Sequence, residues 1–563
     1  MDKLGPLVQT LLYGYCYVAI MVSSLRWLRV AQREHYIPGS VGDFGIRWWT
    51  IHWANPALLL VFLAMAVLAL IHHPYWGAGA LTFLAALPAG LTLRGRTSKL
   101  AWTGRMKRLF VVVGLIYGLA AGLAVLGGSV GFFLFVVSGA VAPAVVDLAL
   151  ALTSPIERLL SERYVREAAE RLRRISPKVV AITGSFGKTT TKRYSEHFLA
   201  GWREVFATPA SYNNRLGIAR AINESMPHST EVFIAEVGTY GRGEISDIVK
   251  WLRPDVSALL AVGPVHLERF GSLEAIALAK SEIFEGASAL VANLDDELVR
   301  TLPALAGDSR TSEGAPHDSA LNRDKAQQGS TSSPPRVIWF SVKDRSAASY
   351  VELKELSPSQ GEGGREVTAN EAVLWVDGEQ VGSFDPRQHV PVNVAAAAAV
   401  AFACGMKPQE IGRRLATLPS VEHRRSIEVT DSGVVVIDDT YNSNPVGARI
   451  ALETLRSVGE AELGQTPAEG RTQRKVVVTP GMVELGPLQY QENEALARTI
   501  CEMGFELVIV GFTNRKALLE GARKAGVEPV VVDTREEAVA WVRQNLASGD
   551  AVLYENDLPD HYP

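Results

Sequence analysis

Residues 179–192 read VVAITGSFGKTTTK. An apolar, β-branched run ends in Gly184-Ser185-Phe186-Gly187-Lys188-Thr189-Thr190, and a helix-forming stretch follows. Glycines let a backbone wrap a phosphate, and the N–H groups at the start of the next helix point at it. Gly184, Ser185, Gly187 and Thr190 would line such a phosphate, Lys188 would neutralise it, and the Thr189 hydroxyl would hold Mg²⁺. A strict Walker A loop needs glycine at 182, where this chain has Ile182, so the loop is the shorter GxxGKT form.

Outward from this loop, short β-branched runs such as 232–235 and 256–260 alternate with helical stretches. Continuous apolar strands between helices predict a parallel sheet covered on both faces. Residues 178–419 are therefore read as a central P-loop α/β domain. Within it, 306–336 is rich in Ser, Gly, Asp, Pro and Gln and reads as a disordered surface insertion. A second, smaller Rossmann-like α/β domain is expected over 420–563, with apolar runs at 434–437, 476–478 and 507–510.

Residues 1–155 differ in kind. They hold eleven Lys and Arg against four Asp and Glu, a charge of +7, so the remainder of this −4 chain carries −11. Five apolar stretches, near 4–25, 53–71, 75–93, 109–126 and 129–153, each approach the length that crosses a bilayer as a helix. The segments 26–49 and 94–108 are basic, whereas 72–74 and 127–128 carry no Lys or Arg. The positive-inside rule puts both basic segments in the cytoplasm. Five spans then leave the N-terminus outside and everything after residue 155 in the cytoplasm of a multi-pass cell-membrane protein. Residues 156–177 read as an amphipathic linker helix. Asp147, inside the last span, lines a polar path or reaches water at its end. The loop Gln32–Tyr36 is either a holder of a lipid phosphate or an ordinary interfacial loop. The acidic soluble half argues against a nucleic-acid partner. Cys16, Cys404 and Cys501 form no metal or disulfide pattern.

The phosphate loop TGSFGKTTTK resembles the nucleotide loop of the Mur ligase family, and further segments resemble that family in the same order. TPASYNNRLG (208–217) is similar to its acceptor-closing stretch, with Asn213 and Asn214. AEVGTYGRGE (235–244) and HLERFGS (266–272) resemble its metal motifs, with Glu236 and His266. AKSEI (279–283) resembles the segment whose lysine becomes carbamylated, here Lys280. Asn293 matches an adenine-contacting asparagine, and Asn393 the helix closing the central domain. DDTYNSNP (438–445) and MVELG (482–486) resemble the C-terminal domain's motifs, with Arg424 upstream. The pattern is most similar to the members that add D-alanyl-D-alanine to a UDP-muramoyl tripeptide. The resemblance covers roughly 178–515.

Three departures stand out. The family's N-terminal domain, which binds UDP of the soluble precursor, has five apolar stretches in its place. The usual Lys-Gly-Ser-Arg motif corresponds to VLYENDLPDHYP (552–563), with Glu555, Asp557 and Asp560 instead of bases. Gly263-Pro264 stands where an asparagine is more usual.

The resemblance implies an ATP-dependent amide ligase. A carboxylate takes the γ-phosphoryl group of ATP and becomes an acyl phosphate, which an amine converts to an amide. Lys188, Thr189 and Glu236 would serve the phosphates and one Mg²⁺, and His266 with carbamylated Lys280 a second. Asp439 would bind ribose and Tyr441 would pack beside the base. Taken alone, Glu236 is a plain strand-end acid, Lys280 a solvated helix lysine and His266 a capped loop histidine; their order behind a phosphate loop gives them chemistry. Three readings follow. One is a ligase taking a small amine donor and a lipid-linked envelope precursor. Another is conventional peptidoglycan D-alanyl-D-alanine addition, with the spans as a tether. The third is a nucleotide-binding membrane scaffold without ligase chemistry.

Overall fold

The computed structural model describes residues 5–558 except 52, 89–90, 92, 94–99, 210–211, 309–334, 356–358, 361–365, 368–369, 387, 420–425, 441–443 and 459–472. Most of the expected 306–336 insertion lies outside the described residues, as do Arg424, Tyr441 and Asp560. The chain divides into one unit ending at Glu162 and another from Arg163 to Leu558.

The first unit contains α1 (Pro6–Arg33), α2 (Ser40–Ile51), α3 (Ala54–Ile71), α4 (Tyr75–Leu84), α5 (Gly104–Leu126), α6 (Gly128–Ser138) and the start of α7 (Ala142–Ile175). Among the described residues, four helical segments are long and apolar enough to cross a membrane: α1, α3, α5 and the run Gly128–Ile175. Leu60, Leu115, Leu119 and Leu134 point outward and are more than half exposed, as suits a hydrocarbon solvent.

Two expectations change here. The third apolar stretch, 75–93, is helical for only ten residues, about 15 Å at the α-helical rise. Beyond α4 the chain is irregular, with Leu87 and Leu91 buried. Tyr15 and Thr82 share a hydrogen bond of 2.7 Å, and Arg26 Nη1 donates to the Leu87 carbonyl at 2.9 Å. The segment therefore runs beside α1 in the same direction. Irregular backbone in apolar surroundings persists where protein groups satisfy its carbonyls, which is what Arg26 does. Also, α7 is unbroken to Ile175 with Pro155 inside it. The helix expected at 156–177 is present to Ile175, but it continues the last apolar helix through Pro155 instead of standing apart as a linker.

Helix α2 escaped the sequence reading, and it explains Asp147. Asp147 accepts hydrogen bonds from the backbone N–H of Gly42 (2.7 Å) and Val41 (3.3 Å). It caps the first turn of α2 from another helix, where a negative charge is favoured. A Cβ at position 42 would lie 2.9 Å from Asp147 Oδ2, so glycine allows the close approach. Gln32 is tied to Ala101 by two 3.0 Å hydrogen bonds, and the Arg105 guanidinium sits 4.3 Å from the Tyr36 ring. Gln32 and Arg33 end α1 and are not part of a loop, and Gln32 and the turn to Tyr36 are fastened to the start of α5 and the residues before it.

The second unit is α/β. It begins β1 (Lys178–Thr183), α8 (Lys188–Leu199), β2 (Val205–Ala207), α9 (Arg215–Ser225), β3 (Val232–Glu236), α10 (Glu244–Leu252) and β4 (Val256–Leu259). Then come α11 (Leu267–Phe270), α12 (Leu273–Ser281), β5 (Ala289–Asn293), α13 (Glu297–Asp308), β6 (Arg336–Ser341) and β7 (Ser349–Glu355). The ribbon β8 (Ser359–Gln360) and β9 (Glu366–Val367) precedes β10 (Asn370–Val376), β11 (Glu379–Phe384), α14 (Pro391–Ala403) and α15 (Pro408–Leu415). The sheet order is β11-β10-β7-β6-β5-β4-β1-β3-β2. It is parallel from β2 to β7, and β10 and β11 add antiparallel pairs at one edge. The alanine-rich helix α14 is buried against one face; its small side chains allow close packing on the β-branched strands.

A second sheet follows, built from β12 (Ser426–Val429), β13 (Val435–Asp439), α16 (Pro445–Ser457), β14 (Lys475–Thr479), α17 (Gln489–Glu502) and β15 (Glu506–Val510). It is completed by α18 (Arg515–Lys524), β16 (Val530–Val532), α19 (Arg535–Asn545) and β17 (Ala551–Glu555). Its order is β12-β13-β17-β14-β15-β16, parallel except at β12. Both sheets expected from the sequence are present.

Candidate active site

The phosphate loop joins β1 to α8. Gly187 has φ +83°, and a Cβ there would lie 2.6 Å from Asn393 Oδ1 of α14. Conformation and space both demand glycine. Ser185 Oγ donates to the Gly263 carbonyl (3.1 Å) and accepts from the Gly263 N–H (2.9 Å), tying the loop to the one that follows β4. A Cβ at position 263 would lie 2.5 Å from the Phe186 ring, so the glycine found there goes with that phenylalanine. Lys188 Nζ donates to the Gly184 carbonyl at 2.7 Å. Thr190 is buried in the first turn of α8.

Glu236 ends β3 with its side chain 5% exposed. Its Oε2 accepts from Thr189 Oγ1 at 3.0 Å and lies 3.1 Å from Lys192 Nζ. Asn213 Nδ2 donates to Oε1 at 3.5 Å. Burial pushes the Glu236 carboxyl up, but Lys192, Lys188 and the hydrogen bonds outweigh it and hold the group below the usual carboxylate range. Lys192 is a residue to which the sequence reading gave no role. Its signal was spacing: it lies one turn beyond Lys188 and Thr189 on the same helix face.

Lys280 is 4% exposed in α12. Burial, and then the positive charge of Lys188, hold its amine well below the ordinary lysine range. It is no solvated helix lysine. His266 has φ +60° and hydrogen-bonds through Nδ1 to Glu484, which has φ +64° in the MVELG loop. Tyr240 lies against the His266 ring at 4.9 Å. Asn493 and Asn514 hold the loop that presents Glu484 through hydrogen bonds to Met482 and Pro480.

Other predicted residues are engaged locally. Asn214 Oδ1 accepts from the Gly217 N–H at 2.8 Å, so its side chain is the N-cap of α9. Asn293 Nδ2 donates to the Leu260 carbonyl (2.9 Å) and Oδ1 accepts from the Asp295 N–H (3.0 Å). Asp439 ends β13 and is in register with Glu555 of β17. Glu555 is fully buried, accepts from Thr479 Oγ1 at 2.5 Å, and is pushed by burial up to about 8. The C-terminal acids are therefore no uniformly solvated end; Asp557 pairs with Arg535 at 2.6 Å.

The oxygens of Thr189 and Glu236 suit Mg²⁺, which takes one or two protein oxygens and completes its shell with phosphate and water. Among the described residues, no group of three or more His, Cys, Asp or Glu stands together to hold a metal. The donor set fits a cation bound together with nucleotide.

Comparison with known proteins agrees with this geometry. The Mur ligase middle domain matches residues 182–347, and the Mur ligase glutamate ligase domain matches 423–554. A UDP-N-acetylmuramoyl-tripeptide–D-alanyl-D-alanine ligase of Mycobacterium leprae is 30% identical over 391 residues, covering 67% of this chain and 70% of the relative. That of Bacillus subtilis is 25% identical over 389 residues, covering 68% and 74%. The MurF ligase of Thermotoga maritima, solved in complex with ADP, aligns with a TM-score of 0.54 at 22% identity. It covers 70% of this chain and 80% of that structure. MurF from Acinetobacter baumannii gives 0.53 at 23%, covering 70% and 77%. The structural likenesses establish the fold. Fold and site together define an ATP-dependent, ADP-forming peptide ligase. The chain belongs to the Mur ligase family, whose members use ATP and Mg²⁺.

Proposed function

We propose that this chain is a membrane-anchored bacterial ligase that joins a small amino acid or dipeptide to a carboxylate of a lipid-linked cell-envelope precursor. The observation that carries the ligase chemistry is the Thr189–Glu236 hydrogen bond beside the phosphate loop, with Lys280 buried under the charge of Lys188. The acceptor carboxylate attacks the γ-phosphorus of ATP, ADP leaves, and an acyl phosphate forms. The donor amine then attacks the acyl carbon, loses a proton, and expels phosphate. Alignment and charge neutralisation dominate the first step. Lys188 and the backbone of Gly184, Ser185, Gly187 and Thr190 hold the phosphates, and Asn213 meets the acceptor. Thr189 and Glu236 would hold one Mg²⁺; His266 and a carbamylated Lys280 would hold another. Bound there, the ions neutralise charge on the transferring phosphoryl group. A lysine held neutral is the form that CO₂ can carbamylate. Asn293, Arg424, Asp439 and Tyr441 are assigned to the nucleotide.

The helical first unit supports a lipid-linked acceptor and a multi-pass membrane location. The stretch 75–93 is taken as a fifth pass, so that both basic segments face the cytoplasm with the catalytic half. The names of the relatives favour a second reading, D-alanyl-D-alanine addition to UDP-muramoyl tripeptide. The deciding experiment uses the full chain in detergent. Phosphate release is measured across a panel of amines with lipid-linked and UDP-linked acceptors, beside a Lys188→Ala control. Turnover confined to lipid-linked acceptors supports the first reading. Equal turnover on the UDP-linked tripeptide overturns it and favours the second.

A further inference from the structure

Lys192 lies one helical turn beyond Lys188 and its side chain is 4% exposed. A lysine buried that deeply needs partners. It has two: Nζ donates to the Thr208 carbonyl at 2.8 Å and sits 3.1 Å from Glu236 Oε2. Thr208 Oγ1 in turn accepts from the Glu236 backbone N–H at 3.1 Å. One carboxylate oxygen is thus pinned between Thr189 and Lys192, while the other faces Asn213.

The charges around this oxygen are unequal. Before a carbamate forms on Lys280, Lys188 and Lys192 bring two positive charges against one carboxylate. A divalent cation entering alone meets net positive charge at close range in a poorly solvated site. Triphosphate reverses that balance.

We propose that Lys192 is a positioning residue that holds the Glu236 carboxylate in one orientation and, as a fixed internal cation, makes entry of the divalent metal depend on nucleotide. The inference rests on the reading of Glu236 as a metal ligand. It separates two jobs in one helix turn: Lys188 meets the nucleotide, and Lys192 guards the acid.

The test uses Mn²⁺ as a paramagnetic stand-in for Mg²⁺ on the full chain in detergent, with and without ADP. Wild type, Lys192→Met, Lys192→Gln, Lys192→Arg and Glu236→Gln are titrated, and thermal unfolding checks each fold. Loss of the charge in the Met or Gln variant is expected to tighten nucleotide-free Mn²⁺ binding roughly tenfold. The benefit of ADP should shrink accordingly, while Lys192→Arg keeps wild-type behaviour. A folded Met or Gln variant that binds Mn²⁺ alone no tighter than wild type overturns the proposal, provided Glu236→Gln still weakens Mn²⁺ binding with ADP. If Glu236→Gln changes nothing, the ligand reading falls and takes the proposal with it.

Discussion

His266 Nδ1 is hydrogen-bonded to the carboxylate of Glu484, joining the loop after β4 of the central sheet to the loop after β14 of the C-terminal sheet. Both residues have left-handed backbone, with φ of +60° and +64°. Such conformations cost free energy unless their surroundings fix them, and here the side chains meet. With the proton on Nδ1, the pair leaves Nε2 carrying a lone pair. Glu484→Ala should lower kcat by about 10–100-fold, the usual loss when the partner of a functional histidine is removed. Steady-state kinetics on the variant check this; unchanged kcat would mean the link plays no part in turnover.

Lys280 makes a prediction with a definite sign in pH. Burial, then Lys188, depress its amine pKa in the fold, so the unfolded chain binds the extra proton. The resulting cost is full below the folded pKa and fades as pH rises toward the ordinary lysine value. In CO₂-free buffer, Lys280→Met should therefore raise the unfolding temperature at pH 7, and the gain should shrink by pH 10. The same variant should lose at least roughly 10²-fold in turnover if a carbamate at this position contributes charge stabilisation. Carbon-13 bicarbonate should give a carbamate resonance with wild type and none with the variant.

The parallel sheets and the phosphate loop were legible because their signals are local: β-branched runs, glycines, a strand before and a helix after. Lys192 carried only the signal of its helical spacing from Lys188, and a lysine in a polar helix reads as solvated until Glu236 is seen 3.1 Å away. Asn214 and Asn293 have local uses that the sequence could not separate from a ligand role. Asparagine is equally at home capping a helix or holding a loop, and both spend their amides that way. Helix α2 was hidden because its cap, Asp147, lies 105 positions from Gly42 in sequence.

The path of residues 75–93 gives a topological prediction. Hydrogen bonds run α4 and the irregular segment after it alongside α1, from Tyr15–Thr82 to Arg26–Leu87. His73 and Thr103, both exposed, then fall on opposite sides of the membrane. A membrane-impermeant thiol reagent should label His73→Cys in intact cells and Thr103→Cys only after lysis. Labelling of both from one side would mean that this segment turns back without crossing.

Glu555 should make the C-terminal sheet sensitive to mild alkali. Burial raises its carboxyl to about 8, from an ordinary value of 4.5. Between those values the folded chain holds a proton that the unfolded chain has lost, so stability falls as pH climbs through the window and stays low above it. Glu555→Gln keeps the shape and an acceptor for the Thr479 hydroxyl but cannot ionise. The variant should match wild type near pH 5 and exceed it above pH 8 by up to a few kcal/mol. Chemical denaturation at the two pH values measures the difference, and parallel losses in both proteins would place the titration elsewhere.

Gly263 and Phe186 give a test of how tightly the chain packs beside the phosphate loop. The ring would meet a Cβ at 263 at 2.5 Å, and real side chains do not approach so closely. Gly263→Asn should therefore displace Phe186, and with it the Ser185–Gly263 hydrogen bonds that set the loop. A weaker KM for ATP and a loss of about 1–3 kcal/mol in stability are expected from such overpacking. Phe186→Ala alone should cost less, because it opens space at a loop rather than forcing atoms together. The double variant should then recover part of the loss in both quantities, a coupling of about 0.5–3 kcal/mol for residues in contact. Strict additivity of the two single changes would show that the glycine is there for some reason other than the phenylalanine.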